Sequence, residues 1–430
     1  MKRVVVTGIG VVSPIGIGAE AFWENLLAGL SGVGRISLFD PSGFPWQVGG
    51  EVPAYKISDY VPKSYRKATK VMARDIELAV VAADYAFKDS GLKSKAYVDA
   101  PDFNVQRFGC NIGAGLINAD LKELTSAMDI ARRDGGNQLD LRAWGREGMG
   151  QLTPLWLLKY LPNMLACHVT IIHGLMGPSN TITCADASSH LAIGEAFRTI
   201  QRGKADMAIC GGAESKLTPM GLVRQGKLGR LTETSNDAPA GAVCPFSPGA
   251  TGTALGEGGG LLVLEEYEHA KARGAKIYAE LVGFGASQDT HRVTDPEPSG
   301  HSYGRAIQKA LADANLPPTA VDLMIPCGLG IASHDRAERA GLHTVFGGAL
   351  SRVPLSPLKG QLASLAAGSG VEVAAAVLAV MHGKIPPAKN VPTDIDLNVS
   401  PDTRDAPVGV SVSSVYSLGG QNAALVFKRV

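Results

Sequence analysis

Apolar positions along this chain follow two periods, and the segments carrying them alternate. Residues 4–6 and 11–12 are β-branched runs joined by glycines, and residues 20–30 form an amphipathic stretch, which predicts strand, turn and helix. Residues 66–89 keep apolar side chains at helical spacing and stop at Gly91. A strand over residues 181–184 leads into a helix over about 187–202, and a buried strand follows at 206–212. The second half repeats the style, with strands at 259–264, 279–284 and 322–327, a helix at 304–314, and a closing pair of strands around a glycine turn. Strands alternating with helices predict a mostly parallel sheet covered on both faces. Residues 131–158 and 232–253 break the alternation and read as excursions over the sheet, of a length that often forms caps or interfaces.

Composition narrows the class. The 430 residues suffice for one large domain or two to three ordinary ones, and 45% hydrophobic against 19% charged residues supports a sizeable core. With 52 glycines and 6% aromatic residues, a turn-rich α/β protein fits better than a bundle or a sandwich. A net charge of +1 gives no global reason to expect nucleic acid or an anionic membrane as a partner. The six cysteines show no CxxC and no metal-ligand spacing with the nine histidines, so neither a metal nor another cofactor is expected. They read as buried free thiols of a reducing compartment, the cytoplasm. Lys2 and Arg3 before an apolar stretch mimic an export signal, but Gly8, Gly10 and Pro14 interrupt it. No apolar run is long enough to span a bilayer.

Five segments carry a resemblance that covers essentially the whole chain. VTGIGVVSPIG at the start, HGLMGPSNTITCADAS in the middle, ICGGAES, EGGGLLVLEEYEHAKARGAKIYAELVGFGAS and the closing LGGQNAALVF resemble the β-ketoacyl-ACP synthase II group in sequence and order. The resemblance implies a thiolase-like, layered αβαβα fold of two similar halves, residues 1–258 with cap insertions and residues 259–430. It also implies a dimer formed across the first half.

The same resemblance locates a site. A ketosynthase places a cysteine thiolate at a helix start, where backbone N–H groups and the helix dipole lower its pKa. Two imidazoles assist decarboxylation, and backbone amides hold the oxyanion. Matched to that pattern, the nucleophile's position is Asp186, with Cys184 two residues too early. A carboxylate cannot form the thioester. Read without the family, Asp186 is a helix N-cap accepting from the amides of Ser188 or Ser189, and the two readings are compatible. The first histidine's turn reads CGLGI, which puts Cys327 in its place and Leu329 and Ile331 where two pantetheine-binding hydroxyls belong. The second histidine falls on Ser364, or on Ala363 if a one-residue deletion is placed earlier. Leu418 stands where a gating phenylalanine belongs. Lys359, Asp335, Glu338 and Glu372 match the family. The chain's own histidines, among them His168, His173 and His190, lie outside the motif positions, and His190 reads as a helix-surface or interface residue. Asp186 beside Cys327 does not suggest thiol chemistry, because a neighbouring carboxylate raises a thiol's pKa.

Within the family this pattern looks like a chain-length factor, the non-catalytic subunit that pairs with an active ketosynthase and shapes an acyl tunnel in type II polyketide or polyene synthesis. Such subunits typically carry glutamine at the nucleophile's position, so Asp186 departs from them. Residues 159–178 are similar to the corresponding segment of those subunits. By resemblance the turn NIGAGLINAD sends Leu116 and Ile117 across the interface toward the partner's tunnel. The basic run Lys63, Arg66, Lys67 and Lys70 offers an outer contact for acyl carrier protein. Two rivals remain: a homodimeric pseudo-ketosynthase binding an acyl or small-molecule ligand, and an enzyme of different mechanism using Asp186 as acid or base.

Overall fold

The computed structural model describes residues 1–132, 136 and 138–430, so residues 133–135 and 137 of the first expected excursion lie outside the described residues. The two valine runs at the start are one strand, Val4–Ser13, with every residue buried. Its glycines are not turns. A Cβ on Gly10 would collide with the backbone of Ala82 and Ala86, so the missing side chain lets helix Arg74–Ser90 lie directly on the strand.

The single helix expected over residues 66–89 is two pieces, a 3₁₀ segment Lys63–Val71 and the α-helix Arg74–Ser90. The first piece buries none of its residues, whereas the second buries a continuous stripe from Ile76 to Phe87. Without an apolar face to dock, the chain leaves the helix at Met72 and restarts at Ala73, both extended. Gly91 closes the second piece in the left-handed conformation, φ 71°.

The main sheet runs in the order Leu323–Ile325, Val410–Tyr416, Gln421–Lys428, Ala279–Gln288, Val4–Ser13, Leu255–Glu266, Met207–Ser215, Phe108–Ala114, Ser179–Ile182. Only the first residues of Val4–Ser13 pair with Ala279–Gln288. Cut there, the path becomes two runs of one design. In the first run the strands, taken in chain order, lie 3-2-4-5-1. The second lies 2-4-5-1, with Leu355 bridging Met324 where the third strand would stand.

The expectation of a mostly parallel sheet fails. Val4–Ser13 and Met207–Ser215 both run antiparallel to Leu255–Glu266, and Gln421–Lys428 runs antiparallel to both of its neighbours. Among the described residues, isolated bridges apart, parallel pairing joins Phe108–Ala114 to its two neighbours, Leu323–Ile325 to Val410–Tyr416, and, briefly, Val48–Gly50 to Leu255–Glu266. The long excursion after Met207–Ser215, which carries helix Pro219–Lys227, and the short turn after Val410–Tyr416 both bring the chain back at the end of the strand it left, so the next strand reverses.

Helices fill the layers. Arg74–Ser90 and Met164–His173 cover one sheet run, and His301–Asp313 with Ala332–Phe346 covers the other. Ser188–Gln201 and Gly370–His382 lie between the runs. Gly370–His382 is buried from Gly370 through Val380, which suits an inner layer with no solvent face. Among the described residues no helix is long and apolar enough to cross a membrane.

Candidate functional site

The two inner helices begin side by side, and the site lies at their starts. Ser188–Gln201 is preceded by a tight 3₁₀ turn, Ala185–Ala187, entered through Ala185 at φ 46°. A non-glycine residue there costs on the order of 1–3 kcal/mol and persists only where the surroundings enforce it. They do so here. Ser188 Oγ accepts from the Cys184 amide at 2.8 Å and donates to the Ala185 carbonyl at 2.7 Å. Ser369, at the start of Gly370–His382, donates its hydroxyl to the Asp186 carbonyl at 2.8 Å. Behind the turn, a Cβ on Gly113 would run into the backbone of Ser188 and Ser189.

Asp186 is 3% exposed. The helix-cap reading is overturned, because Ser188–Gln201 has no side-chain cap and the carboxylate faces elsewhere. Its Oδ2 lies 3.9 Å from a terminal nitrogen of the buried Arg230, and its Oδ1 accepts from Ser364 Oγ at 3.4 Å. Burial opposes ionisation, but the charges of Arg230, Lys216 and Lys359 outweigh it and hold the carboxyl below its ordinary value. Asp186 is therefore a fixed anion at neutral pH. Ser364 reaches it, and Ala363 has no polar atom to offer.

Cys327 stands at the end of strand Leu323–Ile325, fully buried. Lys359 Nζ donates to the Cys327 carbonyl at 2.8 Å and to Glu372 Oε1 at 2.6 Å, so the retained lysine is committed to the backbone and a carboxylate. Burial pushes the Cys327 thiol well up; Lys359 opposes this, and Glu338, Asp186 and Glu372 add to it. Glu338 takes the amides of Cys327 and Gly328, at 2.7 and 2.8 Å, and Asp335 takes those of Leu329, Gly330 and Phe246. These carboxylates hold the CGLGI turn in shape. Leu329 is buried beside Arg230, Tyr416 and Leu418 around one narrow cavity, and Ile331 is half-buried.

The structure thus brings Asp186, Cys327, Ser364, Lys359 and Glu372 together, with Leu418 at the mouth and Asp335 and Glu338 behind. Leu116 and Ile117 are elsewhere, exposed on the turn after Phe108–Ala114 at 72% and 40%. They border a groove lined by Gly115, Asn118, Leu121, Tyr160 and Leu165.

His190 corrects a further expectation. It is fully buried on the inner helix, not on a surface, with Nε2 2.9 Å from Ser413 Oγ. Its ring crosses between the two sheet runs, and burial pushes its pKa down to about 3, so it stays neutral. Sequence reasoning also missed Arg230. Its segment is pinned by the Thr253 amide donating to the Arg230 carbonyl at 2.8 Å, a contact across an excursion that no local pattern announces.

What this arrangement can do chemically is limited. The carboxylate is ionised and engaged, the adjacent thiol is protonated, and the imidazole of His334, which feels the Asp186 charge, is kept neutral by burial. Among the described residues no group of histidines, cysteines and carboxylates is placed to hold a metal ion.

Comparison with known proteins agrees with the fold. The family described as beta-ketoacyl synthase, N-terminal domain, matches residues 1–270, and the corresponding C-terminal domain matches residues 278–392. The chain is 34% identical to a 3-oxoacyl-[acyl-carrier-protein] synthase 2 of Vibrio harveyi, over 100% of this chain and 99% of that one. Among solved structures it is similar to the ishigamide ketosynthase/chain length factor, with TM-score 0.84, 28% identity, and 100% and 99% of the two chains covered. It is equally similar to a chain in the structure of a type II polyketide synthase acyl-carrier protein in complex with its ketosynthase, with TM-score 0.85, 27% identity and the same coverage.

Proposed function

The chain belongs to the β-ketoacyl synthase family, and on that premise we propose that it is a non-catalytic member that pairs with an active ketosynthase, shapes the acyl tunnel of the pair and works in the cytoplasm. One observation carries this reading: the residue on the strained turn is an ionised aspartate engaged by Arg230 and Ser364, beside a thiol that burial keeps protonated. Neither group can accept an acyl chain, and the two motif positions whose imidazoles would assist loss of carbon dioxide carry Cys327 and Ser364. The curated relatives bear the name of a condensing enzyme, so the proposal separates this chain from them by its site and not by its fold.

Leu329 and Ile331 offer no hydroxyl to a pantetheine arm, and burying its amides unpaired costs on the order of 1–3 kcal/mol each. Carrier protein is accordingly assigned to the outside, where Lys63, Arg66, Lys67 and Lys70 are all exposed on Lys63–Val71. The likeness to a ketosynthase/chain length factor and to a carrier-protein complex supports both partner assignments.

The test is co-expression with an intact type II ketosynthase, followed by size-exclusion chromatography and intact-mass spectrometry after incubation with acyl-ACP. A heterodimer is expected, with acyl mass on the partner and none on this chain. Exclusive homodimers would favour the pseudo-ketosynthase reading. A stoichiometric acyl adduct on this chain, Cys184 and Cys327 included, would end the non-catalytic assignment.

A further inference from the structure

Gly115 and Asn118, on either side of Leu116 and Ile117, line a cavity of about 340 Å3, a volume typical of small-molecule sites. Phe39, Ile76, Leu121, Leu161 and Leu165 give it apolar walls. A space of this size lined in this way suits an organic chain better than water. One carboxyl interrupts the apolar lining. Asp75 stands in the first turn of Arg74–Ser90, and its Oδ1 accepts the Ser215 amide at 2.7 Å.

No donor of the described residues reaches Oδ2, and the neighbouring cations are committed to other carboxylates. Arg74 pairs with Glu257 at 2.6 Å, and Lys216 lies 3.3 Å from Glu214 Oε1. Glu214 Oε2 takes the Ala367 amide at 2.8 Å. Burial and then the charge of Glu214 push the Asp75 carboxyl up to about 8; Glu257 adds to this, and the Ser215 amide and Lys216 oppose it. Asp75 therefore keeps its proton at neutral pH. A neutral carboxyl is a hydrogen-bond donor as well as an acceptor. A plain hydrocarbon laid against it strands that donor at a cost on the order of 1–3 kcal/mol, whereas a carbonyl oxygen satisfies it.

We propose that Asp75 is a specificity-determining residue, which makes the groove select an acyl chain whose far end carries a hydrogen-bond-accepting oxygen, such as a ketone, over a plain hydrocarbon chain. The proposal rests on the reading that a partner's acyl chain passes Leu116, since such a chain arrives far end first. The carboxyl donates its O–H to that oxygen, and the apolar side chains cover the carbons that precede it.

The isolated chain and the heterodimer are to be titrated calorimetrically with two N-acetylcysteamine thioesters of octanoic acid, one plain and one bearing a ketone next to its terminal methyl group. The ketone probe should bind about fivefold tighter at neutral pH, the factor for one neutral hydrogen bond. That preference should fade as pH rises through about 8, where Asp75 gives up its proton. Asp75→Asn keeps an acceptor for the Ser215 amide and a donor for the probe, so its preference should persist without the pH dependence. Asp75→Leu should lose the preference at every pH, and should that variant not fold, the flat profile of Asp75→Asn carries the same test. Equal binding of the two probes, binding of neither, or a wild-type preference that holds unchanged to about pH 9 would overturn the proposal. A chain that forms no heterodimer yet prefers the ketone probe would count against the pairing and not against the role of Asp75.

Discussion

At the scale of single residues, the central fact is a charge pair with both partners almost wholly buried. The Asp186 and Arg230 side chains are 5% and 7% exposed, and their 3.9 Å separation is an ion pair without a hydrogen bond. Such pairs contribute little net stability, yet removing one member strands the other charge. Asp186→Asn should therefore lower the unfolding free energy by about 3 kcal/mol. Arg230→Gln should do likewise, and the double variant should lose less than the sum. Urea denaturation across the four proteins measures this coupling, and strict additivity would show that Lys216 and Lys359 hold Asp186 without Arg230. The match of Asp186 to the nucleophile's position is an expectation that the neighbouring sequence motifs carry. That its counter-charge comes from Arg230, 44 positions away along the chain, was not legible there, since an arginine before an excursion has no local signature.

At the scale of elements, the turn between Leu323–Ile325 and Ala332–Phe346 is held by two carboxylates that accept five backbone amides. Burial and mutual repulsion push Asp335 up to about 7, and burial does the same for Glu338. A carboxyl whose folded pKa lies above its unfolded value contributes stability that is complete below about pH 4 and lost as pH rises through 7. Each group should cost about 1 kcal/mol between pH 6.5 and 8. The depressed histidines, His173, His190 and His334, act in the opposite sense as their unfolded forms lose protons near pH 6.5, so they offset part of this loss at the acid end of the window without reversing it. Urea midpoints should fall from pH 6.5 to 8, and a rise over that interval would contradict the assignment. The elements themselves were largely visible from periodicity. Boundaries and directions were not: the glycines of Val4–Ser13 look like turns until helix Arg74–Ser90 is seen packed on them, and strand polarity depends on where an excursion returns.

At the scale of the whole molecule, the apolar side chains left outside the core bear on partnership. Leu116 is 72% exposed between Gly115 and Asn118, which line a groove with Leu121 and Tyr160, and Leu155 and Leu157, a few positions before Tyr160, are exposed as well. In the proposed pair, Leu116 reaches into the partner's acyl tunnel. Leu116→Ala then frees room for roughly three methylene-sized groups, each worth about 0.8 kcal/mol of burial for a longer product. The product-length distribution of the reconstituted pair should shift longer with Leu116→Ala and shorter with Leu116→Phe. An unchanged distribution in an intact complex would remove the tunnel role from this turn.

The sequence by itself determined the family, the layered α/β class and the chemical identity of the residues at the motif positions, because each is carried by short contiguous patterns or by periodicity within one element. The tertiary structure alone decided what those residues do to one another. It turned an expected helix cap into an ion pair, moved His190 from the surface to the inner layer, and gathered Arg230, His334 and Tyr416 around one cavity. Such relations join side chains brought close by packing between layers, and their energies depend on burial and on partners that no window of sequence contains.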